Sequence, residues 1–163
     1  MLDKQYWIDQ LGLLPHPEGG YYKELPDSKD WFEEKNRPVY TNIYFLLTEE
    51  SPSHFHQLTA DEVWYFHYGS SLKVHELLPD GSYKTTSVGL NIEQGDVLQY
   101  VVPKGSIFGS SVNEGDQYAL VSCMVSPGFT FDDFKLFTKS ALLADYPEHG
   151  DIIEQLAFDS LDF

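Results

Sequence analysis

Six short runs rich in β-branched and aromatic residues, punctuated by glycine, proline and aspartate, limit what this chain can fold into. They are Val39–Leu47, Val63–Tyr68, Leu72–Leu78, Tyr83–Val88, Asp96–Val102 and Tyr118–Val125. Such side chains fit a pleated, half-buried surface. Short strands at regular spacing with turn residues between them predict an antiparallel sandwich or barrel. Pro79-Asp80-Gly81 separates the third run from the fourth and predicts a hairpin. The expected fold is all-β.

The two ends read differently. From Lys4 to Leu13 the apolar residues Tyr6, Trp7 and Leu11, with Leu14 just beyond, recur at near-helical spacing, and Gly12 and Pro15 stop the helix. Ser140–Asp145 predicts a second helix. A third runs from about Glu148 to Ala157, with Ile152, Ile153 and Leu156 as its apolar face. Pro26 to Pro38 is polar and predicts a surface loop. At 163 residues the chain is long enough for one real core and too short for two ordinary domains. The expected organisation is one domain over 1–163: an N-terminal helix and arm (1–36), the barrel (37–131) and a helical extension (132–163).

Candidate chemistry concentrates between Ser53 and Gly69. His54 and His56 are two apart, so on a regular strand both imidazoles leave one face. Glu62 can return a carboxylate to that face after a short turn. Two histidines and a carboxylate suit a first-row metal ion and equally a general acid–base pocket. They also read as ordinary polar residues at a strand end.

The order His54-x-His56, Glu62, Gly69 resembles the first motif of the cupin superfamily. Gly95 followed by Pro103-Lys104-Gly105 resembles the second, with Phe108 standing where cupins place their last metal-binding histidine. A wider ordered set is similar to a small cupin family catalogued as a domain of unknown function. Its members are His16-Pro17-Glu18-Gly19-Gly20-Tyr21-Tyr22-Lys23-Glu24, Ser53-His54-Phe55-His56, Asp61-Glu62-Val63-Trp64, Val102-Pro103-Lys104-Gly105 and Ser126-Pro127-Gly128-Phe129. The resemblance implies a double-stranded β-helix, or jelly roll, like that of sugar-nucleotide epimerases and seed globulins. It also implies a homodimer.

Three functions stay open on this basis. In one, His54, His56 and Glu62 hold a divalent metal with open positions, the fourth ligand being lost to Phe108. In another, without a cofactor, His56 is a base, Glu62 is its orienting carboxylate, and Tyr44, Tyr65, Tyr100 or Tyr118 supplies a proton, as the epimerase likeness implies. In the third, the pocket binds a small molecule without turnover, a carbohydrate derivative among the candidates, with His54, Trp64, Tyr44 and Gln99 on its wall. The third is preferred, with no cofactor expected.

Charge narrows the partners. The chain has 26 Asp and Glu against 10 Lys and Arg, a formal net charge of -16. That field repels a nucleic-acid backbone and an anionic membrane. The sole arginine, Arg37, falls in the predicted loop, which leaves a diphosphate without its usual clamp. Cys123, the only cysteine, lies in an apolar run and is expected to be a buried thiol rather than a nucleophile. The N-terminus lacks the pattern of a secretory signal, and no apolar run approaches the roughly 18 residues that cross a bilayer, so a cytoplasmic location is expected.

Several residues outside the main motif have alternative readings. Gly19-Gly20 either makes a sharp turn into a strand or brings Glu18 or Glu24 to the pocket mouth. Alternation from Glu62 points His67 away from the pocket. His75 has no assigned direction. His16 reads as a loop hydrogen-bonder and His149 as solvent-facing. Trp31 and Phe32 read as an exposed pair at a subunit contact.

Overall fold

The computed structural model describes residues 1–113, 115 and 117–161. Helix α1 (Lys4–Leu11) begins where the Asp3 side chain accepts from the Gln5 amide at 2.7 Å and ends at Gly12, whose φ is 66°. Four short or mid-length strands follow: β1 (Leu14–Pro15), β2 (Tyr21–Leu25), β3 (Trp31–Phe32) and β4 (Arg37–Pro38). The main body is β5 (Thr41–Thr48), β6 (Ser53–Gln57), β7 (Asp61–Gly69), β8 (Leu72–Leu77), β9 (Tyr83–Val88), β10 (Gln99–Val102), β11 (Ile107–Val112) and β12 (Tyr118–Ser126). After β13 (Lys135–Leu136) come helices α2 (Lys139–Asp145) and α3 (Gly150–Leu156).

The strands form a six-stranded sheet, β1-β2-β5-β12-β7-β10, and a five-stranded sheet, β13-β6-β11-β8-β9, both antiparallel. They face each other as a jelly-roll sandwich and do not close into a continuous barrel. One core fills the space between them: Phe45 and Leu47 from β5, Trp64 from β7, Val74 from β8, Phe108 from β11 and Val121 from β12. Alternate residues on the same strands face outward, and here helices cover them. Helix α1 lays Trp7, Ile8 and Leu11 over Leu46, Tyr118 and Leu120. Helices α2 and α3 lay Leu142, Ile153 and Leu156 over Phe55 and Leu77. The fully buried side chains among these, such as Leu46, Phe55, Leu142, Ile153 and Leu156, each contribute about 1.5–3 kcal/mol, and the half-buried residues of α1 less.

The hairpin expected at Pro79-Asp80-Gly81 is present, β8 pairing with β9 from Leu72↔Val88 to Leu77↔Tyr83. Two expectations change. The segment 26–38 is not only loop: β3 and β4 pair within it, and Arg37 is buried with its guanidinium on Asp133 at 2.7 Å. Strand β11 was not expected, because Gly109-Ser110-Ser111 has little strand propensity of its own. Its two neighbours, β6 and β8, supply the ladder that fixes it. Among the described residues no helix is long and apolar enough to cross a membrane.

Candidate functional site

The His-x-His alternation fails, for a local reason. Phe108 pairs with His56, but Ser110 pairs with Ser53, so β6 uses three residues where β11 uses two. This bulge resets the pleat. Ser53 and His56 turn inward, Phe55 turns outward onto the helices, and His54 is displaced to the edge. Its ring stacks on Phe158 at 3.8 Å, and its Nδ1 donates to the Glu18 carbonyl at 2.8 Å. Gly109 lies opposite, where a Cβ would stand 2.8 Å from the Ser53 carbonyl, so only glycine lets the bulge pack this closely. His54 therefore leaves the interior, contrary to the expectation that both imidazoles share it.

Glu18 takes its place. Gly19 and Gly20 have φ of 106° and 74°, a region that side chains rarely enter. A Cβ on Gly19 would lie 1.8 Å from the Pro52 carbonyl, and one on Gly20 would strike Leu47 and Phe45. The glycines thus press the arm against β5 and β6 and drive Glu18 between the sheets. Its Oε2 accepts from Ser53 Oγ at 2.9 Å and lies 2.8 Å from His56 Nδ1. The two readings of this motif merge: the turn is structural, and its product is a buried carboxylate.

His56 Nδ1 also meets the His54 carbonyl at 2.7 Å. A carbonyl and a carboxylate only accept, so Nδ1 carries the hydrogen and Nε2 is the nitrogen left for exchange. Burial, the largest single influence, disfavours a charged imidazole, but the Glu18 charge and hydrogen bond, with smaller help from the Glu62 charge and the His54 carbonyl, together raise the His56 pKa above 6.5. For Glu18, burial is the largest influence and pushes upward, but the charges of His56 and His16 and the hydrogen bonds from His56 and Ser53 together pull it down further, leaving it lowered from 4.5. Both shifts describe an imidazolium–carboxylate pair. Glu62 behaves oppositely. Burial first, then the Glu18 charge, push it to about 7, and its hydrogen-bond partner is the Cys123 thiol.

These groups line a cavity of about 90 Å3 between the sheets. Glu18, His56, Glu62 and Cys123 form its polar side; Ile43, Leu58, Val125, Phe129 and Phe134 form its apolar side. Tyr22, Glu24, Asp27, Thr41 and Asn42 complete the lining towards the mouth. His16 packs behind, 3.5 Å from Glu18, with burial lowering its pKa ahead of the opposing pull of Glu18. The segment carrying Phe129 and Phe134 is tied down by Asp133, which pairs with Arg37 and accepts from the Thr59 hydroxyl and amide.

The structure thus joins His56 and Glu62 and separates the other expected residues. Gln99 is exposed, because on β10 it is Tyr100 and Val102 that turn inward. Tyr44 lies on the outer face of β5 beside His67. Trp64 is in the core, fully buried beyond the cavity wall, with its indole nitrogen unpartnered. None of the proposed proton-donating tyrosines reaches the cavity. Tyr65 is outward on β7, Tyr100 donates to Glu76 at 2.5 Å, and Tyr118 donates to the Leu2 carbonyl at 2.6 Å. Tyr22, which follows the double glycine, is the tyrosine on the lining. Cys123 is buried and burial raises its thiol pKa, as expected of a structural cysteine. His67 points away, also as expected, whereas His149 is half-buried against Gly81 and Tyr83 rather than solvent-facing.

A metal does not fit these side chains. His54 faces elsewhere, and the Phe108 ring packs 4.2 Å from the His56 ring where a further ligand would stand. Among the described residues no three His, Cys, Asp or Glu side chains are placed to hold a metal ion.

Residues 5–137 match the family described as cupin superfamily (DUF985). The chain belongs to this family. Protein SO0799 from Shewanella oneidensis is 46% identical with a TM-score of 0.94, covering 98% of this chain and 100% of that one. A hypothetical protein from Leishmania major is 44% identical with a TM-score of 0.90, covering 96% and 99%. Oxalate decarboxylase from Bacillus subtilis, in its structure at pH 4.6, shares the fold at 18% identity and a TM-score of 0.57; the match covers 90% of this cupin but 37% of that enzyme.

Proposed function

We propose that this cupin binds a small polar molecule, head first, in the cavity between its sheets and without a cofactor. The observation that carries this is the buried His56–Glu18 pair standing beside Glu62 on the wall of a cavity that opens at one end. Burying three ionisable groups costs stability unless each is paired. Ion pairing accounts for two, and Glu62 keeps hydrogen-bonding capacity directed at the cavity. Size sets the ligand scale. Liquid water occupies roughly 30 Å3 per molecule, and a dry cavity of about 150 Å3 holds benzene. A space of about 90 Å3 therefore encloses a short chain or one end of a carbohydrate derivative, not a nucleotide sugar. The rim carboxylates Glu24 and Asp27 would repel a diphosphate left outside.

A second reading, isomerisation, is favoured by the opposite shifts of His56 and Glu62. Near neutrality Glu62 can take a proton from a carbon next to a carbonyl, the electron pair moving to the oxygen, which is protonated by the His56 imidazolium. This exchanges the roles expected from the sequence, His56 becoming the acid. Glu62 then returns its proton to the former carbonyl carbon while the other enediol hydroxyl gives its proton to neutral His56. A carbonyl re-forms and both groups regain their starting states.

The test reads the His56 ring resonance during titration with small polyols, amines and hydroxyketones. Binding moves that resonance in a saturable way; no movement with any compound contradicts the reading. Deuterium uptake at the carbon next to a bound carbonyl separates turnover from binding alone. We also propose a homodimer, on the support of exposed Leu90, Ile92, Leu98 and Val101 at the β10 edge of the sandwich. Light scattering at micromolar concentration reads twice the chain mass if this holds.

A further inference from the structure

Resting on that binding reading, we propose that the ligand carries an ammonium group, which the cavity seats against the Glu62 carboxylate. Charge around the cavity is unbalanced in one direction. Glu18 and His56 neutralise each other at 2.8 Å, so the remaining lining charges are Glu24 and Asp27 at the rim and, above about pH 7, Glu62 inside. Among the described residues no lysine or arginine lines the space. Arg37, the one arginine, is committed elsewhere: Nη1 to Asp133 at 2.7 Å and Nη2 to the Pro127 carbonyl at 3.3 Å.

Glu62 supplies a second, independent observation. The residue is buried, with 5% exposure, yet the hydrogen-bond partner of its carboxylate is a thiol, a weak donor. A carboxylate has about four acceptor positions, and those on the cavity side await a donor. A hydroxyl supplies one neutral hydrogen bond. An ammonium group supplies up to three and also cancels the charge, which a buried carboxylate otherwise carries at high cost. An anionic head would add a second uncompensated charge within the same walls. The apolar side, Ile43, Val125, Phe129 and Phe134, suits a short hydrocarbon body behind the head. Exposed Glu24 and Asp27 would draw cations towards the mouth.

The experiment uses three probes of nearly equal size: propylamine (as its ammonium), 1-propanol and propionate. Each is titrated at matched ionic strength, at about pH 8, into the full chain and into Glu62→Gln, with protein amide and His56 ring resonances as the readout. The expected result is propylammonium at least about tenfold tighter than propanol, the scale that separates charge-assisted from neutral hydrogen bonds. Propionate should not bind. In Glu62→Gln the amine and alcohol should come within about twofold of each other, with propanol still bound. Equal affinity for amine and alcohol in the natural sequence, or a preference that survives Glu62→Gln, overturns the ammonium assignment and leaves small-molecule binding intact. No saturable response to any probe overturns both.

Discussion

Two buried histidines on the same five-stranded sheet, two strands apart, have opposite acid–base character. His56 on β6 faces the interior and meets a carboxylate; His75 on β8 faces outward under the C-terminal helices and meets only hydroxyls. His75 Nδ1 pairs with Tyr83 Oη at 2.5 Å, Nε2 pairs with Ser111 Oγ at 2.8 Å, and the Tyr83 ring stacks nearly parallel to it. Burial and, secondarily, the charge of Lys73 lower His75 to about 4. The desolvation of the two rings is comparable in kind, so a fixed opposite charge decides whether a buried imidazole holds its proton. Structural packing needs only the neutral ring. A site that exchanges protons needs the charged one.

Removing Glu18 breaks the comparison most severely. Glu18→Ala leaves a buried imidazole without its counter-ion and should cost about 3–5 kcal/mol in chemical denaturation at pH 7. It should also carry the His56 midpoint below 6.5, making His56 resemble His75. Acid should expose the other cluster next. The unfolded chain protonates His75 near 6.5 and the folded chain only near 4, so its contribution is complete above 6.5 and declines as pH falls to about 4. The loss is at most about 3 kcal/mol. His75→Gln should flatten that part of the stability–pH curve.

Glu62→Gln has the opposite sign. A carboxyl raised from 4.5 to about 7 is held protonated by the fold, so stability falls as pH rises through that window. The neutral amide should therefore raise the melting temperature at pH 8, by the equivalent of about 1–3 kcal/mol, with little change at pH 4. His67→Ala is the smallest perturbation. That ring is exposed on the outer face of β7 beside Ser122, and its loss should shift stability by no more than about 0.5 kcal/mol.

The comparison also marks where the sequence stops being readable. Strand spacing and the Pro79-Asp80-Gly81 turn were enough for the sandwich, because each β-rich run buries its own alternating face. Strand β11 was hidden because its Gly-Ser-Ser centre is held by neighbours rather than by its own composition. His56 and Glu62 were legible as site residues, but a bulge opposite Gly109 removed His54 from the set, and bulges leave no periodic trace. Glu18 was legible as one of two carboxylates that the double glycine could bring to the pocket mouth; that the turn aims it at His56 depends on contacts with β5 and β6, far along the chain. Tyr100 and Tyr118 looked available because sequence does not reveal that Glu76 and Leu2 already hold their hydroxyls.

Heteronuclear titration of the histidine ring protons measures the central point directly. With Glu18 in place, the His56 resonance should titrate with a midpoint above 6.5 while that of His75 stays well below it, and Glu18→Gln should lower the first without moving the second. A His56 midpoint below 6.5, or one indifferent to the loss of the Glu18 charge, would mean that no charged imidazole–carboxylate couple exists at the heart of this cupin.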